Sequence, residues 1–393
     1  MNSEPAERLA AIKPSPTMAI NARAKELAAA GEKILNLSAG EPDFKTPAFI
    51  CEAAATALAD GATHYTATDG TPELKRAIAA KLKRENGLEY APDEIIASCG
   101  VKHSLYNASM ALLNPGDEML IPAPYWVSYP AQAKLAGAEA RILPCPAENG
   151  FKLTPAQLHD AIGPKTRLLI LNSPNNPSGA VYTRAELVAL AEVLAEHEDL
   201  MIATDDIYEH LLYDDSAFVN IVMAAPALRE RTLVLNGVSK AYAMTGWRLG
   251  YAAGPKWLIG AMKKLQSQST SNPASVSQAA AAAALTGNQS CVAEMRATFR
   301  YRRDRFVAAL NEANGIHCEP PPGAFYGFAD CREAITARGL EDDLAFAQWL
   351  LEEPQVAAVP GSAFGMSGYV RFSYATDQAT LDEAAERLKR ALG

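Results

Sequence analysis

Between residues 95 and 253 the chain alternates short apolar runs with stretches of helical period. The runs are 95–97, 118–121, 140–143, 168–171, 200–204, 232–235 and 250–253. Helical patterns at 101–113, 127–135, 155–162 and 183–197 separate most of them. A strand without a polar face is buried on both sides, so this repetition predicts an α/β fold: a mostly parallel sheet with helices on both faces. Sheets of this kind bind ligands at the carboxyl ends of their strands. The polar clusters SCGVKHS, PAPYW, NSPNNPSG, TDDIY and NGVSK each directly follow an apolar run, so five loops are expected to meet at one crevice.

The flanking chain reads differently. A helix over 16–30 precedes a short strand at 34–37, and Thr46 with Pro47 and Thr71 with Pro72 each carry the cap-plus-proline signature of a helix start. After Pro255 the pattern is helical, with a long basic helix at 291–311. Beyond Gly315 strands are expected at 315–319, 324–329 and 369–373, with helices at 342–351 and up to Leu392. The division that follows is a large α/β domain over 46–290 and a small α+β domain from 1–45 and 291–393. A net charge of −9 argues against a nucleic-acid or anionic-membrane partner. No segment supplies the ~20 apolar residues of a bilayer span, and the amino terminus lacks a signal-peptide pattern. The six cysteines have no metal-ligand spacing and read as buried free thiols. The expectation is a soluble, cytoplasmic protein without a metal.

NGVSK presents Ser239 and Lys240 side by side, with Arg248 eight residues on. A lysine amine condenses with an aldehyde to a Schiff base, and a hydroxyl and a guanidinium nearby suit a phosphate on the same ligand. That points to pyridoxal phosphate, although alone the lysine reads as a surface side chain. A pyridine ring used as an electron sink needs a carboxylate at its nitrogen. Asp205 fits that need, with Tyr208 three residues on; Asp206 competes, and either could cap a helix. Asn176 could steady the ring oxygen or simply serve a tight turn. Gly100, Val101 and Lys102 lie where a strand gives way to a helix, whose free amides can cradle phosphate. Trp126 suits ring stacking or the core. Arg371, a charge within an apolar strand, needs a partner, which is either a substrate carboxylate or an internal acid.

Together SKAYAMTGWR, NSPNNPSG, DDIYEHLLY, SAGEPDF, HYTATDGTPELK and VRFSYAT resemble class I pyridoxal-phosphate aminotransferases, most closely the bacterial aspartate enzymes that include aspartate/prephenate aminotransferases. The resemblance covers essentially the whole chain. It implies a fold-type I homodimer with shared active sites, acting on amino acids and 2-oxo acids. By motif, Lys240 is the covalent attachment point and proton shuttle, Asp205 the pyridine partner, and Tyr208 and Asn176 the ligands of the ring oxygen. Arg248, Ser239 and the amides at Gly100, Val101 and Lys102 hold phosphate, with Tyr65 reaching the neighbouring subunit's phosphate. Arg371, Asn176, Trp126 and Gly40 bind the substrate, and Lys102 takes a second carboxylate, with Lys13 and Ser15 closing over it. Gly237 stands where some relatives carry a serine, and Val101 and His103 replace the Gly and Gln of a common GGxQ. Aromatic or neutral donors, or carbon–sulfur elimination, are the alternatives.

Overall fold

A computed structural model describes residues 5–12, 16–214 and 217–393. Its strands, in chain order, are β1 (Leu35–Asn36), β2 (Ile95–Ser98), β3 (Glu118–Ala123), β4 (Glu139–Pro144), β5 (Thr166–Asn172) and β6 (Met201–Asp205). They continue with β7 (Thr232–Gly237), β8 (Gly250–Ala253), β9 (Tyr326–Asp330), β10 (Val356–Ala357), β11 (Val359–Pro360) and β12 (Tyr369–Ser373). Seven form one sheet in the order β2-β8-β7-β6-β5-β3-β4. Pairings from β4 through β7 are parallel, while β8 runs antiparallel to both its neighbours, so six strands point one way.

The apolar runs divide by the two-residue period of a strand. Leu169, Leu171, Ile202 and Val234 join one buried cluster with Leu74 and Ile78 of the helix Pro72–Lys81, Leu187 and Leu190 of Arg184–Ala195, and Ala280 of Ser275–Thr286. Leu168, Ile170, Ala203, Leu233 and Leu235 join another with Leu105 of Val101–Leu112, Ala133 of Tyr129–Leu135, and Leu258 of Lys256–Ser267. Helices therefore cover both faces. A loop leaving the carboxyl end of a strand has no apolar neighbour to bury against, and polar side chains collect there.

A second sheet, β11-β12-β9, packs with the helices Ser290–Leu310 and Gln378–Leu392 around Phe299, Phe306, Val370, Phe372 and Leu388. The early chain joins it: β1 pairs parallel with β10, and Ser373 N–H donates to Leu37 O at 2.8 Å. Two local expectations change. The segment 315–319 is no strand, and contributes a single bridge between His317 and Asp330. Thr71 caps its helix through Leu74 N–H, but Thr46 does not cap Ala48–Ala59; its hydroxyl donates to Ala243 O and accepts from Trp247. The six thiols are free, three of them buried and Cys51 exposed. No helix among the described residues is long and apolar enough to cross a membrane.

Candidate functional site

A crevice of 390 Å³ lies at the carboxyl ends of β2, β3, β5, β6 and β7, where the five polar loops meet. Its walls include Gly100, Val101, Lys102, Trp126, Asn176, Asp205, Tyr208, Ser239, Lys240 and Arg248, and the other sheet contributes Arg371 and Tyr326. Gly40 and Glu41 close one side from the SAGEPDF segment.

Lys240 follows the end of β7 and donates to Gly40 O. Lost hydration pulls its ammonium down to about 8; Arg371 and Arg248 act in the same direction, against Glu41 and Asp205. Arg248 sits in the left-handed region at φ 53° and donates to Thr245 O at 2.8 Å and Cys99 O at 3.2 Å. Among the described residues no carboxylate pairs with it. Gly100 is required beside it: φ is 89°, and a Cβ there would stand 2.5 Å from Arg248 Nη2. The free amides of Val101–Leu112 begin at Val101 and lack intrahelical carbonyls, whereas the Gly100 amide, expected to join them, donates to Ser98 O at 2.7 Å. Ser239, nearly buried, completes this end of the crevice.

Asp205 and Asp206 point opposite ways, as consecutive residues at a strand end do. Asp205 faces the crevice, accepting from Tyr129 Oη at 2.7 Å and Ile207 N–H at 3.4 Å. Burial pushes its carboxyl up to about 6 against those hydrogen bonds, and no cation touches it among the described residues. Asp206 turns into the core, bonded to Thr204 at 2.6 Å and Asn220 at 2.7 Å. Tyr208 is buried, with its hydroxyl 2.7 Å from that of Tyr326.

Arg371 is 2% exposed, and among the described residues no carboxylate forms the internal ion pair that would explain it. Its guanidinium donates to Asn176 Oδ1 at 2.9 Å and Ser38 O at 2.8 Å, both neutral, and its Nε has no partner. A buried cation whose hydrogen-bond partners are an amide and a carbonyl oxygen is an incomplete anion site. Trp126 stacks edge-on against Tyr129, and Lys102 Nζ lies 4.9 Å from the Trp126 ring centroid. Burial lowers the Lys102 ammonium, and Arg248 adds to the effect.

Of the expected residues, Tyr65 stands apart, 91% exposed and outside the crevice. Lys13 and Ser15 lie outside the described residues. The sequence reading missed Tyr129, Asn172 and Tyr326, all of which line the crevice. Asn172, at the end of β5, donates to Asp205 O at 2.9 Å and accepts from Asn176 N–H at 2.9 Å. A polar residue closing an apolar strand was the available signal for it. The two tyrosines gave none, since each sits where a core aromatic would.

The profile of the family described as Aminotransferase class I and II matches residues 32–388. An aspartate/prephenate aminotransferase of Nitrosomonas europaea is 52% identical, over 98% of this chain and 99% of that protein. One of Cereibacter sphaeroides is 54% identical, over 98% and 97%. Among solved structures, the aspartate aminotransferase of Rhizobium meliloti superposes with a TM-score of 0.95 at 47% identity, covering 99% of this chain and 98% of that one. The Thermus thermophilus aspartate aminotransferase with maleate gives 0.93 at 44%, covering 99% and 100%.

Proposed function

The chain belongs to the class I and II aminotransferases, and we propose that it is a pyridoxal-phosphate enzyme transferring the amino group between aspartate or glutamate and 2-oxo acids. Aspartate and 2-oxoglutarate give oxaloacetate and glutamate, with prephenate a further acceptor. The observation that carries this is a lysine with a lowered pKa sharing one crevice with two arginines, Arg248 and Arg371, that no carboxylate among the described residues neutralises. Such an arrangement suits a ligand set with two anionic groups and one carbonyl.

The residues present fit the cofactor. Arg248, Ser239 and the amides at Val101 and Lys102 offer a phosphate cradle, and a Cβ on Gly100 would push the Arg248 guanidinium out of it. Asp205, a buried carboxylate without a cation, suits a protonated ring nitrogen. Tyr208, Asn176 and Trp126 line the same crevice, where the first two would hold the ring's oxygen and Trp126 would lie against the ring. Bound pyridoxal phosphate supplies an aldehyde that captures the amino group and a ring that stores the electrons released at the substrate Cα.

The chain supplies the rest. Arg371, with Asn176 and Gly40, holds the α-carboxylate and fixes which Cα bond faces Lys240. Lys240, neutral in part near neutral pH, takes the Cα proton and returns it to the former aldehyde carbon. The amino group would stay with the cofactor when the oxo acid leaves and pass to a second oxo acid afterwards, so the kinetics should be ping-pong. Tyr65, exposed in one chain, reaches the second subunit's phosphate in a cytoplasmic homodimer. Residues 46–290 form the cofactor-bearing domain, and 1–45 with 291–393 the domain that carries Arg371.

Because only the neutral amine attacks an aldehyde, the rate of cofactor capture should rise about tenfold per pH unit below pH 8 and level off above it. Stopped-flow absorbance of cofactor-free protein mixed with pyridoxal phosphate tests this; a break near 10 contradicts the lowered lysine.

Lys102 receives the second carboxylate of a dicarboxylic substrate. Named relatives that act on aspartate, and the Thermus enzyme's structure with maleate, support this reading. Lys102→Ala should raise KM for aspartate about tenfold and leave KM for phenylalanine within about twofold. Equal effects on the two would remove Lys102 from the role. The overall reading is tested with a panel of amino donors and oxo acids that includes prephenate. Conversion of the bound cofactor to pyridoxamine phosphate by aspartate supports transamination, whereas pyruvate or ammonia release points to elimination.

A further inference from the structure

Tyr326, the first residue of β9, is fully buried and lines the crevice, yet nothing above gives it a part in the reaction. In the antiparallel register Ser373 opposes Tyr326 and Arg371 opposes Phe328, so Tyr326 and Arg371 are diagonal neighbours on one face. The Arg371 guanidinium carbon lies 4.3 Å from the centre of the Tyr326 ring. Among the described residues Arg371 has two hydrogen bonds, and the Tyr326 face, nearer than the Phe364 ring at 4.9 Å, adds aromatic support for a buried cation. At its other end the Tyr326 hydroxyl is 2.7 Å from the Tyr208 hydroxyl, and it also stands 3.1 Å from where a Cβ on residue 40 would be. The position therefore touches Arg371 and Tyr208 at once and fills the space that a side chain at residue 40 would need.

A phenol has one proton to donate and two lone pairs to offer. When Tyr208 donates to the cofactor's ring oxygen, it cannot also donate to Tyr326, and its own oxygen becomes the acceptor of that pair. Tyr326 is then the donor, and a donor behind Tyr208 strengthens the hydrogen bond in front of it. We propose that Tyr326 is a positioning residue for transamination: its hydroxyl donates to Tyr208 and its ring holds the Arg371 guanidinium. One side chain thus sets both the hydrogen bond at the ring oxygen and the aim of the carboxylate-binding arginine. This rests on the cofactor reading given above. It also accounts for the small residue at position 40, since a side chain there would displace the Tyr326 hydroxyl.

The test uses four holoenzymes: wild type, Tyr326→Phe, Tyr326→Leu and Tyr208→Phe. The first readout is the pH midpoint of the visible absorbance change of the lysine–cofactor linkage. The second is the dissociation constant of maleate, an unreactive dicarboxylate, from absorbance titration. Removing the hydroxyl leaves more negative charge on the ring oxygen, which holds the linkage proton more tightly. Tyr326→Phe should therefore raise the midpoint by about half a pH unit, in the direction of Tyr208→Phe but by less. The groups facing Lys240, namely Glu41, Asp205, Arg248 and Arg371, are unchanged in this variant. Its maleate affinity should stay within about twofold of wild type, because the ring remains, while Tyr326→Leu should weaken maleate about fivefold or more. A wild-type midpoint in Tyr326→Phe beside a shifted one in Tyr208→Phe overturns the hydroxyl's role, and wild-type maleate affinity in Tyr326→Leu overturns the ring's. Absence of a visible band in wild-type protein given pyridoxal phosphate overturns the cofactor reading, and this inference with it.

Discussion

Replacing Lys240 with alanine should lower turnover by at least about ten-thousand-fold with every amino donor, because in the proposed mechanism one amine both attaches the cofactor and moves the Cα proton. The fold should not suffer. Lys240 makes one hydrogen bond, to Gly40 O, and its ammonium is held down to about 8 mainly by burial. A lysine whose pKa is lowered on folding costs stability wherever its unfolded form is protonated and the folded form must stay charged. Cofactor-free Lys240→Ala should therefore melt at or above the wild-type temperature at pH 7, and this advantage should shrink as pH rises from about 8 toward the ordinary lysine value. Single-turnover assays and thermal melts across pH check the two halves. A variant that unfolds at the wild-type assay temperature would make Lys240 structural, and one retaining a tenth of the activity would remove it from the chemistry.

What could be read in the sequence follows from how local each signal is. The central sheet was legible because its strands are buried on both faces, which leaves apolar runs with polar loops at their ends. Those loops, from SCGVKHS to NGVSK, do meet at one crevice. The two smaller sheets were less legible because β10 of one and β11 of the other are two residues each, too short to show a period, and are held by pairing with distant strands. The basic helix and the strand bearing Arg371 were visible, but what Arg371 touches was not. Its partners Ser38 and Asn176 lie 333 and 195 residues away. Asp205 and Asp206 could not be separated by spacing alone, since the choice depends on which side of β6 faces the crevice. Tyr326 was invisible because a tyrosine in an apolar run looks the same whether its hydroxyl meets a core carbonyl or another active-site phenol.

That choice at the end of β6 gives the second large effect. Asp205→Asn should lower kcat about a thousandfold with little change in KM, because an amide cannot hold a proton on the ring nitrogen as the electrons arrive. Asp206→Asn should stay within about threefold of wild type, since its side chain bonds Thr204 and Asn220 on the far side of the strand. Stability should move in the opposite sense to activity. The Asp205 carboxyl is raised to about 6, so without cofactor the folded state binds its proton more tightly than the unfolded chain does. Its favourable share is present at low pH and is lost as pH rises from the unfolded value to about 6. At pH 7.5 holding it ionised costs on the order of 3 kcal/mol. Cofactor-free Asp205→Asn should therefore melt higher than wild type at pH 7.5 and lose that advantage near pH 4. Adding pyridoxal phosphate should stabilise wild type more than the variant, because only the carboxylate gains a pyridinium partner. Thermal melts of the four combinations measure this difference. Equal stabilisation of both proteins, or equal loss of kcat from the two aspartates, would mean that Asp205 does not face the ring nitrogen.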